Sequence, residues 1–177
     1  MKKSKLLIFI VAYNHEKTIE SVIKRIPKKL KNLYDLEILI IDDASSDKTM
    51  KIATDAGAIV VNHEENKGYD MALNSGFLKA SEFDCGGVIT FDADGQHNSN
   101  LLIKYIDYLK DGFDLVLGVR PYSERVSELL FSFYTRLKFG WKDPLCGMKG
   151  YSMRLYKDQG YFDSYNSIGT ELAFFAI

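Results

Sequence analysis

Apolar runs at residues 6–11, 36–41, 58–61, 87–91 and 115–118, broken only at Glu37 and Thr90, punctuate this chain, and the stretches between them carry helical periodicity. A strand that is apolar throughout must be covered on both faces, and parallel neighbours need a long crossover that a helix supplies. The βαβα rhythm therefore predicts an α/β fold with a mostly parallel central sheet and helices on both faces. In such sheets ligands sit beyond the carboxyl ends of the strands, so the residues that follow each run are where chemistry is expected.

Spacing places the helices. Asn14 stands where an N-cap is expected for a helix in which Ile19, Val22, Ile23 and Ile26 share a face and which Pro27 ends. Ser45 or Ser46 is set to cap a helix carrying Met50, Ala53 and Ala56. A helix over 68–80 is predicted to have Met71, Ser75 and Leu78 on one side. Another starts at Ser99 or Asn100 and turns Leu101, Leu102, Tyr105, Ile106 and Leu109 inward. Beyond Pro121 the rhythm weakens, but 124–139 has a helical stripe of Val126, Leu129, Leu130, Phe133, Tyr134 and Leu137. Aromatic stripes usually form core, so packing on the sheet is expected; the alternative is a helix resting on a bilayer surface. The basic run Lys24, Arg25, Lys28, Lys29 and Lys31 reads as a solvated face, with approach to anionic lipid heads as its alternative.

At 177 residues the chain reads as a single domain, 1–177, large enough to bury a core without disulfides. Its 23 basic and 24 acidic residues leave a net charge of -1, which gives no global signal for nucleic acid or membrane. Cys85 and Cys146 have neither metal-ligand nor redox spacing and are expected to be reduced thiols in a cytosolic setting. The first apolar run is too short to cross a membrane and lacks a cleavage site, so it reads as the first strand.

Three strand ends carry polar groups of one kind. Ala12, Tyr13, Asn14, His15 and Glu16 follow the first, Asp42 and Asp43 the second, and Asp92, Ala93, Asp94, Gly95, Gln96 and His97 the fourth. Side chains two apart on extended backbone point the same way, so Asp92 and Asp94 leave the strand as paired carboxylates. A hard divalent cation, Mn or Mg, would neutralise the pair and complete its shell with water and substrate phosphates; a solvated turn is the other reading. An aromatic ring such as Tyr13 can stack on a base, and a strand-end acid can accept hydrogen bonds from ribose or base. The alternative for Asp42 and Asp43 is a pair of acids favoured at a helix start by the macrodipole. No Gly-Lys-Ser/Thr phosphate loop and no G-x-G-x-x-G follows a strand, which argues against P-loop kinases and dinucleotide oxidoreductases.

The stretches IVAYNHEKTI (10–19), IDDASSDKT (41–49), NKGYDMALNSG (66–76), FDADGQH (91–97) and DPLCGMKGYS (143–152) carry a resemblance. Together, in order and spacing, they resemble the family-two glycosyltransferases of the GT-A (Rossmann-like) fold, and within these the polyprenyl-phosphate, dolichol-phosphate-mannose-type sugar transferases. The resemblance implies that Ala12, Tyr13 and Glu16 sit at the nucleotide pocket, that Asp43 contacts the nucleoside, and that Asn66, Lys67 and Gly68 lie near the sugar nucleotide. It further implies that Asp92, Asp94 and Gln96 address the metal, with Asp92 and Ala93 also at the donor. By the same resemblance Arg120 would reach toward the donor phosphates, and Asp143, Gly147 and Met148 would lie on the acceptor side. Val11 stands where the family has proline and His15 where many members have glutamate. The chain stops at Ile177, inside a helix that begins near Gly169, and so reads as truncated before the strand and basic loop with which the family continues.

The expected reaction is metal-assisted transfer of a sugar from a nucleoside-diphosphate donor, with inversion, to a lipid-phosphate or glycan acceptor at the cytoplasmic membrane surface, without nucleic acid. Lys67 or Arg120 would steady the leaving diphosphate. A hydroxyl acceptor would need a general base, Asp143 first and Glu171 second, whereas a lipid phosphate needs none. Sugar-nucleotide binding without turnover, and nucleotidyl transfer, are the rival classes.

Overall fold

The structure, a computed structural model, describes residues 5–120 and 126–177. Its strands are β1 (Lys5–Ala12), β2 (Leu36–Asp42), β3 (Ile59–Asn62), β4 (Cys85–Thr90), β5 (Leu115–Leu117) and β6 (Lys149–Ser152). They form one six-stranded sheet in the order β3-β2-β1-β4-β6-β5. β1 pairs in parallel with β2 and β4, and β2 with β3, while β6 runs antiparallel between β4 and β5. The expected α/β architecture is thus present, with a reversed strand that the sequence did not advertise.

Alternation along β1 divides the core. Leu6, Ile8 and Ile10 face one layer, against Ile19, Val22 and Ile23 of α1 (Ile19–Arg25) and Leu102 and Ile106 of α5 (Leu102–Lys110). Leu7 and Phe9 face the other, against Leu73 and Phe77 of α4 (Tyr69–Glu82). Each such side chain, taken fully out of water, contributes about 1.5–3 kcal/mol. Phe77 is the hub of the second layer, its ring 4.5 Å from Phe162, 5.4 Å from Tyr151 and 6.0 Å from Phe9. Gly76 makes this close approach feasible, because a Cβ there would enter the Phe9 ring.

Several local expectations change. Asn14 does not cap α1. It adopts φ +57°, its Oδ1 accepts the Ser46 N–H at 2.9 Å, and its own N–H donates to Ser45 Oγ at 2.8 Å. Ser45 and Ser46 therefore tie the β2 loop to the β1 loop. α3 (Thr49–Asp55) instead has its first N–H held by Asp47 Oδ1 at 2.9 Å. α4 turns Met71 and Leu78 to solvent, since burying Ala72, Leu73, Gly76, Phe77 and Ala80 removes more apolar surface and fits the Phe9 ring. Leu101 lies on an exposed 3-10 turn (Ser99–Leu101) capped by Asn98, while Leu102, Tyr105 and Ile106 turn inward as expected.

The largest departure is α6 (Val126–Phe139). The stripe expected to pack on the sheet faces outward: Leu130, Phe133 and Leu137 are 70%, 62% and 73% exposed. Thr135 is the buried member of the described stretch 128–139 and donates its hydroxyl to the Trp141 carbonyl at 2.8 Å. Periodicity reports that a helix has an apolar face but not which surface covers it. Glu124 of the expected helix lies outside the described residues, as do the side chains of Val126 and the segment 121–125. None of the described helices is long and apolar enough to cross a membrane.

The remaining helices are α2 (Lys28–Leu33), α7 (Met153–Gln159) and α8 (Glu171–Phe175). Between β5 and β6 the chain makes an excursion that closes on itself, since the Gly118 N–H donates to the Met148 carbonyl at 3.1 Å.

Candidate functional site

At the carboxyl ends of β1, β2 and β4 lies a cleft of about 410 Å³. A larger depression of about 770 Å³ sits at the opposite, amino edge of the sheet, against Lys5, Cys85 and Lys157. Strand-end logic and the clustering of polar groups favour the first. Tyr13, Asp43, Asn66, Gly68, Asp92, Ala93 and Asp94, all expected at the site, line it, and Val11, His15 and Tyr69 join them. Tyr13 is 49% exposed, which leaves side-chain surface accessible at the cleft.

Asp92 and Asp94 are each half engaged. Asp92 Oδ2 meets His97 Nε2 at 2.7 Å, and Asp94 Oδ1 accepts the Gln96 backbone N–H at 2.8 Å. The second oxygen of each carboxylate makes no hydrogen bond within the described chain. Gly95, at φ +81°, makes the turn, and its carbonyl accepts Arg25 Nη1 at 2.9 Å. Among the described residues no group of three or more His, Cys, Asp or Glu side chains surrounds a common point. Two open carboxylate oxygens fit a hard cation that takes its other ligands from water and phosphate. The Gln96 side chain is exposed and lies outside the lining of the cleft.

Asp43 is 2% exposed and heavily hydrogen-bonded. Oδ1 meets His63 Nδ1 at 2.7 Å and the Lys67 N–H at 2.9 Å; Oδ2 accepts the Gly68 N–H at 2.9 Å. Lys67 thus contributes its backbone here, while its side chain borders a neighbouring depression with Asn62 and Glu64. Asp42, 1% exposed, accepts the Ser45 hydroxyl at Oδ1 and has no partner for Oδ2, and burial pushes its carboxyl up from the ordinary carboxylate range.

Other expected residues stand elsewhere. Ala12 is buried at the end of β1. Glu16 turns away from the cleft, accepting the Lys48 N–H at 3.2 Å while its own N–H donates to Asp47. Arg120 is claimed by carboxylates: Nε and the backbone N–H donate to Asp143 Oδ2, and Nη2 to Asp143 Oδ1, all at 2.9 Å, with Nη2 also 3.0 Å from Glu128. Burial raises the Asp143 carboxyl, but the Arg120 hydrogen bonds and charge outweigh it and hold it below its ordinary range. A carboxylate so held is a poor proton acceptor. Glu171 accepts the Ser164 N–H at 2.5 Å and its hydroxyl at 2.8 Å, closing the turn before α8.

Sequence reasoning passed over Lys149 and His63. Lys149 is 4% exposed, donates to the Gly169 carbonyl at 3.2 Å, and feels Asp92 and Asp143. Burial lowers its pKa from 10.5 to about 8. A lysine inside a short strand containing glycine gave no sequence signal. Both cysteines are free and buried, and burial raises the Cys85 thiol to about 11.

Comparison with known proteins identifies the family. The sequence model of Glycosyl transferase family 2 matches residues 7–168. The UDP-N-acetylglucosamine–dolichyl-phosphate N-acetylglucosaminyltransferase of Methanococcus voltae is 31% identical over 86% of this chain and 71% of its own. The dolichol-phosphate mannosyltransferase of Pyrococcus furiosus is 32% identical over 66% of this chain and 33% of its own. Glucosyl-3-phosphoglycerate synthase from Mycobacterium tuberculosis, solved with Mn2+, uridine-diphosphate-glucose and phosphoglyceric acid, superposes with a TM-score of 0.69 at 26% identity. That match covers 86% of this chain but 58% of the solved one, so the chain spans little more than half of that enzyme.

Proposed function

Because the chain belongs to glycosyl transferase family 2, we propose that its cleft binds a nucleoside-diphosphate sugar and that the protein transfers the sugar, with inversion, to a polyprenyl-phosphate acceptor. The observation that carries this is the pair of half-engaged carboxylates, Asp92 and Asp94, in one cleft with the exposed Tyr13 ring. Tyr13 stacks on the base, and Asp43 with the turn at Asn66 and Gly68 walls the nucleoside side. Asp92 and Asp94 offer their open oxygens to a divalent cation, Mn2+ or Mg2+. Such an ion, when bound, neutralises charge on the diphosphate leaving group. Lys149 adds a buried positive charge within range of Asp92.

Direct displacement at the anomeric carbon from the face opposite the diphosphate needs no covalent intermediate. A phosphate acceptor arrives ionised and needs no general base, in keeping with Asp143 being bound up with Arg120. The outward apolar stripe of α6, followed by Arg136 and Lys138 in its last turn, suits a helix lying on an anionic bilayer, where a polyprenyl acceptor resides. The site is therefore taken to work at the cytoplasmic membrane surface.

Thermal-shift titration with UDP-, GDP- and dTDP-sugars, with and without Mn2+, tests the donor half, because a ligand selective for the folded state raises the melting temperature. A Mn2+-dependent shift for one donor class is expected, and an absence of any nucleotide-dependent shift overturns the reading. Incubation of that donor in labelled form with polyprenyl phosphate tests the acceptor half: a labelled lipid product is expected.

A further inference from the structure

His63 bridges two elements beneath the cleft wall. It follows β3 directly, its backbone N–H donates to the Asp42 carbonyl at 2.9 Å, and its ring is held with 7% of the residue exposed. Nδ1 lies 2.7 Å from Asp43 Oδ1 and Nε2 lies 2.9 Å from Ser75 Oγ on α4. Both Asp43 oxygens already accept backbone N–H groups, from Lys67 and Gly68, so His63 Nδ1 is the donor in this contact. In the neutral ring Nε2 is then the acceptor for the Ser75 hydroxyl. The imidazole is suited to the place because one side must donate and the other accept across a fixed span.

The consequence runs through Asp43 to the turn. Gly68 adopts φ +84° and directs its N–H at Asp43 Oδ2, and Asn66 Nδ2 donates to the Asp43 carbonyl at 3.2 Å. Asp43, Asn66 and Gly68 all line the cleft. With Oδ1 occupied twice and Oδ2 once, the carboxylate has acceptor capacity left on Oδ2, and His63 is the side chain that shares its hold with the Lys67 and Gly68 backbone. We propose that His63 is a positioning residue for donor recognition: it fixes the Asp43 carboxylate and, through it, the turn at Lys67 and Gly68 that forms the nucleoside wall. The donor half of this inference rests on the reading of the cleft given above.

The full chain is compared with His63→Ala, His63→Asn and Ser75→Ala. The asparagine amide stands where Nδ1 stood and restores a donor to Asp43 without reaching Ser75. Amide exchange without ligand reads the turn directly: at Lys67 and Gly68 it is expected to accelerate about tenfold or more in His63→Ala and to return toward the parent rate in His63→Asn. Half-saturating UDP-sugar concentration with Mn2+ is expected to rise about tenfold in His63→Ala while kcat changes less than about threefold, a split that general destabilisation would not give. Ser75→Ala is expected to show the smaller effect of the same sign. Unchanged exchange in His63→Ala overturns the proposal, as does an asparagine variant as impaired as alanine, or a loosened turn with unaltered donor affinity. A parent chain that binds no nucleotide removes the functional reading and the donor half with it, while the exchange comparison still decides whether His63 holds the turn.

Discussion

Gly147 backs directly onto the Asp92 carboxylate: a Cβ at 147 would collide with both carboxylate oxygens, while His97 Nε2 holds Oδ2 at 2.7 Å from another side. The acid is thus wedged into one orientation by a residue more than fifty positions away in sequence. Gly147→Ala is expected to push Asp92 off that orientation and to weaken Mn2+ binding about 10- to 100-fold, the range for disturbing the supports of a metal ligand. Titration of Mn2+ by paramagnetic resonance in the presence of UDP checks it, and a melt without ligand separates site damage from unfolding. Parent-like Mn2+ affinity would show that Asp92 has room to move.

Lys149 makes stability depend on pH in a definable window. Burial disfavours the charged form, lowering its pKa in the fold from 10.5 to about 8. Above about 10.5 the lysine is neutral folded or unfolded, and the burden is absent. As pH falls from there to about 8 the unfolded chain takes up the proton first and stability is lost; below 8 the loss is complete, on the order of 3 kcal/mol. Lys149→Met is therefore expected to be more stable than the parent at pH 7, with the gap narrowing as pH rises from 8 to 10. Urea unfolding of both proteins across that range checks it, and a gap independent of pH would mean that the lysine is not held charged and buried.

Exposure of Leu130, Phe133 and Leu137 gives opposite expectations for stability and for membrane binding. Replacing all three by Gln should leave unfolding free energy within about 1 kcal/mol of the parent, as surface changes do. Partition onto vesicles containing anionic lipid should fall at least tenfold, since each buried apolar side chain contributes upward of 1 kcal/mol. Co-sedimentation with vesicles measures it. Equal partition by the parent and the triple variant would remove α6 from the membrane contact.

Gly76 is required by the Phe9 ring, against which a Cβ cannot fit. Gly76→Ala should cost about 1–3 kcal/mol by overpacking, despite the better helix propensity of alanine. Gly76→Ala combined with Phe9→Leu should recover part of that loss, and chemical denaturation of the pair measures the coupling.

Much of the sheet was readable because β1, β2 and β4 are largely apolar on both faces and run into polar residues at or just beyond their carboxyl ends. β6 was not readable: Lys149-Gly150-Tyr151-Ser152 has no alternation, and Gly150 is there because a side chain would press on Tyr105 and Val116. The cleft residues that follow strands, Tyr13, Asp43, Asp92 and Asp94, were placed by the strand-end rule. Lys149 precedes its neighbours on a reversed strand, and His63 acts through a buried acid, so neither obeyed that rule. Arg120 and Asp143 were recognised singly, but side-chain pairing across 23 residues has no signature in spacing. The outward face of α6 escaped because amphipathicity does not name the surface that covers it.

The hydrogen bond between Gly118 and Met148 has a further consequence. It ties together the two ends of the β5–β6 excursion, so the insertion returns to the sheet where it left, bringing Gly147 against Asp92 and Trp141 into the core on the way. Insertions are therefore best tolerated midway between that tie and Trp141, and least tolerated at the returning end, where Cys146 and Met148 are already built into the packed interior.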